Sequence, residues 1–136
     1  MIVVYAVVKY LAYSAWCYVA LRLVQPSIAG VASAARFGAA RWTLGLIFGI
    51  GVFFSVGSID AEAAARIYFL VYSPIRVIEW GIMAFLIAGR VSPARRAQST
   101  LRLSVWCIGG MLVSFSTDLL SPEGLQGRFC VGRCLC

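Results

Sequence analysis

The chain has 136 residues, of which 62% are apolar and 12% charged, with a mean hydropathy of +0.90. An ordinary soluble domain is roughly 45 to 50% apolar and about 25% charged, so this one lacks the polar surface to cover a core in water, and disorder is excluded for the same reason. The net charge is +7 and His is absent, which removes the usual general base near neutral pH, the commonest metal ligand and a frequent axial ligand of haem.

At roughly 20 residues per membrane crossing, the length has room for about four spans and no added soluble domain. Ile2 to Val24 is apolar apart from Lys9 and Arg22 and is stopped by Gln25 and Pro26. It is read as the first span. The small residues Val31 to Ala35 resemble a leader cleavage site, but the apolar run is too long and its start carries no basic residue. Ser27 to Ala40 holds small residues with Arg36 and Phe37, too short to cross and too apolar for a loop, and is expected to form a short helix in the membrane interface. Residues 42–59 carry no charge and form the second span, with Arg41 and Trp42 at its interfacial end.

Ser58, Asp60 and Glu62 suit a helix start. The third span follows over 67–88, with Pro74 removing one hydrogen bond and predicting a kink near Leu70 to Pro74. Gly89 to Arg102 is the polar connection, residues 103–120 form the fourth span, and Pro122 opens a tail that ends in Cys130, Cys134 and Cys136. The expected fold is all-α: an integral membrane protein of four transmembrane helices in an up-down bundle over residues 1–121, with a short interfacial helix between the first two and a Cys-containing extracytoplasmic tail at 122–136.

The charges orient it. Arg22, Arg36, Arg41, Arg90, Arg95, Arg96 and Arg102 fall on one side without an acid; Arg66, Arg128 and Arg133 fall on the other with Asp60, Glu62, Asp118 and Glu123. Positive loops face the cytoplasm, so the loops near 25–41 and 90–102 are expected inside the inner membrane and both termini outside it. The basic loops then meet anionic lipid headgroups, and no nucleic acid is needed to explain the charge.

Lys9, Arg76 and Glu79 are the ionisable residues well inside predicted spans, where each would cost several kcal/mol if it faced lipid unpaired. Arg76 and Glu79 are three apart on one helix and can pair. Lys9 lies at a similar depth and is expected to reach the same carboxylate, with Tyr10, Tyr13, Tyr72 and Ser73 as sources of hydroxyls. The cluster can fix helix register, or it can line a path, its surplus cation favouring an anion or lipid headgroup. Gly45 and Gly49 in one span and Gly109 and Gly110 in another allow close helix packing, within the chain or between copies. Cys130, Cys134 and Cys136 can form a disulfide on an oxidising outer side; a zinc site would want a fourth ligand. No nucleotide, phosphate or nucleophile motif is present, and no cofactor or metal is expected. These features point to a non-enzymatic assembly, accessory or self-associating subunit, partnered by copies of itself or other membrane subunits. The alternative is a small oligomeric channel, holin-like pore or transporter that uses Lys9, Arg76 and Glu79.

Overall fold

The computed structural model describes residues 2–56, 64–89, 91 and 96–121. Among these there are four α-helices: α1 (Ile2–Val24), α2 (Val31–Val56), α3 (Ala64–Ala88) and α4 (Arg96–Leu119), with a 3-10 turn (Pro26–Ile28) joining α1 to α2. Helix α1 runs without Gly or Pro until Gln25, whose backbone is driven extended by the following proline (φ −142°, ψ 72°). Gln25 N–H still closes on Leu21 O at 2.7 Å, and Ala34 N–H on Gly30 O at 3.0 Å starts α2.

Pairs across the helices give their directions. Tyr5 meets Asp118 at one end of the α1–α4 seam and Arg102 meets Leu23 at the other. Between them Trp16 and Trp106 exchange indole N–H bonds to each other's backbone carbonyls, at 3.1 and 2.8 Å. Arg41 meets Glu79 and Val52 packs with Tyr68 and Tyr72, so α2 and α3 are also antiparallel. Arg76 and Trp80 meet Asp118 and Ser114 in the same sense on α3 and α4. The helices therefore alternate in direction around a closed ring.

Helix α2 departs from expectation. A separate interfacial helix followed by a span from residue 42 is not what forms; one helix of 26 residues runs straight through Arg41. Arginine is a good helix former and no proline intervenes. At about 1.5 Å per residue this helix reaches about 39 Å, longer than a bilayer's hydrocarbon core of about 30 Å. Pro74 likewise lies inside a continuous α3, on its exposed side.

Three stretches, Val3–Val24, Val31–Ser55 and Arg66–Ala88, are long and apolar enough to cross a membrane. Helix α4 does not join them: it opens on Arg96, Gln98 and Arg102 and carries Asp118 in its last turn. The outer surface is nevertheless apolar on all four helices, exposing Val4, Leu11, Phe54, Leu70, Phe85 and Ile108 among others. The inside is divided along α3: Tyr68 and Tyr72 pack with Val52 in one apolar cluster, while Trp80, Met83 and Ile87 pack with Cys17, Leu21 and Trp106 in another. Arg76 and Glu79 stand between the two.

Close approach is set by glycine and small residues. A Cβ on Gly110 would stand 2.5 Å from the Trp80 ring, and one on Gly38 would collide with Ser14. Gly109 faces Trp16 in the same manner. The expected packing glycines of α4 thus seat two tryptophans. Gly49 is buried, Gly45 opens instead onto charged side chains, and Gly38 carries the tight α1–α2 approach that sequence reasoning passed over. Ala34 and Gly38, small residues four apart, were the available signal.

Candidate functional site

Five ionised side chains from all four helices close on one another inside the bundle. Arg76 is their hub. Its Nη1 donates to Glu79 Oε2 at 2.8 Å and its Nη2 to Asp118 Oδ2 at 2.7 Å. Lys9 Nζ donates to the other oxygen of Asp118 at 2.5 Å and to Tyr5 Oη at 3.0 Å. Arg41 Nη2 donates to Glu79 Oε2 at 2.6 Å and to Ser114 Oγ at 3.2 Å. Arg41 and Glu79 are fully buried, and Lys9, Arg76 and Asp118 nearly so.

Neutral side chains complete the shell. Tyr68 and Tyr5 donate their hydroxyls to Asp118, at 2.5 and 3.2 Å. The Arg41 guanidinium lies against two rings set nearly at right angles, 4.7 Å from the centre of Tyr13 and 4.8 Å from that of Trp80, and Trp80 Nε1 donates to Ser114 Oγ at 3.0 Å. A delocalised cation beside aromatic rings, with a carboxylate on its Nη2, is held by attraction that strengthens out of water. Arg76 lies 5.7 Å from the Tyr72 ring in a looser version of the same contact.

Sequence reasoning named Lys9, Arg76 and Glu79, and the structure brings all three into one network. Lys9 takes Asp118 as its counter-ion where Glu79 was expected, and Arg76 links the two carboxylates. Arg41 was placed at the interfacial end of the second span and Asp118, near the end of the fourth, was counted on the opposite membrane face; both are inside. The surplus cation was the available signal, because two buried cations and one acid leave a cation needing a partner, and an acid of the chain itself, Asp118, supplies it. The hydroxyls come from Tyr5, Tyr68 and Ser114, while Tyr10 donates to Ala35 O on α2 at 3.4 Å. Cys17 and Cys107 are free thiols; Cys130, Cys134 and Cys136 lie outside the described residues.

Each carboxylate is shared between two cations. A separate groove of about 530 Å³ between α3 and α4, lined by Val77, Gly81, Ala84, Ser104 and Met111 among others, is apolar. Comparison with protein-family models, with curated protein sequences and with solved structures found no match to the chain.

Proposed function

We propose that the chain is a non-enzymatic, four-span membrane protein that serves as an assembly or self-associating subunit of a membrane complex, with the ionic cluster pinning its helices. The observation that carries this reading is the inversion of polarity: charges closed on one another inside, large apolar side chains outside. In water that arrangement would expose an apolar surface on every helix; in lipid it is the low-energy one. Helix α4 belongs with the other three because it too presents Leu101, Val105, Ile108 and Leu112 outward. The first turns of α2, with exposed Arg36, are its interfacial part. Exposed Arg22, Arg36 and Arg102 gather at the end of the bundle away from the N-terminus, which supports placing that end in the cytoplasm against anionic headgroups. Self-association is tested by gentle detergent extraction followed by native mass measurement. A defined oligomer or a constant partner set is expected, and a lone monomer refutes the reading.

The surplus of positive charge favours a second reading, a small anion-conducting pore or carrier. Its test is flux in liposomes: Arg76→Ala should abolish an anion current, whereas the subunit reading expects no current from the unaltered protein.

A further inference from the structure

The exposed arginines at the basic end of the bundle are not alike. Arg22 Nε donates to Tyr18 Oη at 2.8 Å and Arg102 Nη1 to the Leu23 carbonyl at 2.9 Å, so each guanidinium is tied back to its own chain. Arg36 makes no hydrogen bond or ion pair among the described residues, and neither does the Ser33 hydroxyl one turn away on the same face of α2. These two residues border a pocket of about 270 Å³ between α2 and α3, whose other walls are Phe37, Ala40 and Leu86. The antiparallel seam accounts for its position. Helix α2 is held to α3 by Arg41 on Glu79 and, further along, by Val52 against Tyr68 and Tyr72. On the other side of Arg41 the small side chains of Ser33 and Ala40 leave the seam open.

The pocket thus sets a free cation and a free hydroxyl beside three apolar side chains. Arg36 lies five residues into α2, about 8 Å from its start, and α2 outreaches the hydrocarbon core by about that length. With the excess standing on the basic side, the guanidinium sits where phosphate groups meet acyl chains. We propose that this pocket binds one anionic phospholipid, its phosphate on Arg36 and Ser33 and the upper part of an acyl chain against Phe37, Ala40 and Leu86. A guanidinium offers a fork of donors matched to phosphate oxygens, and the hydroxyl adds another. A free inorganic anion would use that edge alone and gain nothing from the apolar walls, whereas a lipid uses both; basic pockets between spanning helices suit headgroups for this reason. The site differs from a diffuse pull between basic loops and a charged membrane, since it takes a single lipid and depends on a single arginine. It rests on the four-span membrane reading but not on the subunit role.

The test is thermal unfolding of the full chain in an uncharged maltoside detergent, titrated with dioleoyl phosphatidylglycerol, with dioleoyl phosphatidylcholine or with sodium phosphate, all at matched ionic strength. Phosphatidylglycerol should raise Tm saturably, phosphatidylcholine only at higher concentration, and phosphate not at all. Arg36→Gln should leave Tm in detergent alone unchanged, since its side chain bonds to nothing in the described chain, and should need about tenfold more phosphatidylglycerol for the same rise. Arg22→Gln removes the same charge and should keep the unaltered protein's response. Equal losses in the two variants would mean diffuse attraction and overturn the site. Equal responses to the two lipids would remove the anionic preference, and an equal response to phosphate would assign the pocket to a free anion; either overturns the proposal, as does no rise with phosphatidylglycerol. Native mass measurement counts the ligand: one retained phosphatidylglycerol per chain, lost in Arg36→Gln, supports the site, and a spread of lipids unchanged in that variant counts against it. Failure of the membrane reading shows separately, as a chain that stays folded and dissolved without detergent.

Discussion

The Arg41 guanidinium is held through Nη2 by Glu79 and Ser114 and lies against the rings of Tyr13 and Trp80. Removing it leaves Glu79 with Arg76 alone and opens a void beside two rings. Breaking a buried ion pair from one side costs about 3 to 5 kcal/mol, so Arg41→Ala should lose most of the bundle's stability in detergent unfolding. Arg41→Lys keeps the charge but gives up the delocalised contact with the two rings and the forked donor, and should cost about 1 to 3 kcal/mol. Equal effects of the two would mean that charge alone matters. Lys9, Arg76 and Glu79 were legible in the sequence because a charge deep in an apolar run is rare. Arg41 and Asp118 were not, because each stands at the edge of an apolar run, where an interfacial residue and a buried one look alike; only the folded helices, passing straight through Arg41 and carrying Asp118 in the last turn of α4, tell them apart.

Between elements, the N-terminal half of α1 is clasped to the C-terminal half of α4 by Lys9 and Asp118, while α3 joins through Arg76 and Tyr68. Asp118→Asn takes a carboxylate from two cations at once, leaving Arg76 with Glu79. Deleting Lys9 in the same chain relieves the other cation, so Lys9→Met should restore part of what Asp118→Asn loses. A double-mutant cycle read by unfolding should give a coupling of about 1 to 3 kcal/mol; additive losses would show that the clasp is not an energetic unit. Packing glycines give an uncharged control. Gly110→Val drives a branched side chain into Trp80 and should cost about 1 to 3 kcal/mol with a changed near-ultraviolet tryptophan signal, whereas Gly30→Ala, with nothing within 4 Å, should be nearly silent. The all-α bundle and the alternating direction of its four long helices followed from apolar length and short connections, so they could be read in advance. The unbroken α2 could not, because apolar patterning reports where lipid ends and not where backbone hydrogen bonding ends.

At the scale of the molecule, the bundle has two unlike ends. One carries the chain's start, with Tyr5, Lys9 and Asp118 just inside it; the other carries exposed Arg22, Arg36 and Arg102 around the α1–α2 turn and the start of α4. Moving Arg41 into the core takes one cation from the loops counted as cytoplasmic, yet the remaining six, Arg22, Arg36, Arg90, Arg95, Arg96 and Arg102, still face no acid in those segments. Transfer of a short basic loop across a membrane is what the positive-inside bias opposes, so the imbalance continues to favour the same orientation. With the five cysteines replaced by alanine, Ser27→Cys in the exposed α1–α2 turn should react with a membrane-impermeant maleimide only after cells are opened. An epitope fused ahead of Met1 should be reached in intact cells. The reverse pattern would invert the orientation while leaving the ionic core intact, because the pairs of Arg76 with Glu79 and Asp118 are indifferent to which face is the cytoplasm. Labelling of both positions from outside would instead mean that α1 does not cross, and the four-span reading would fail with it.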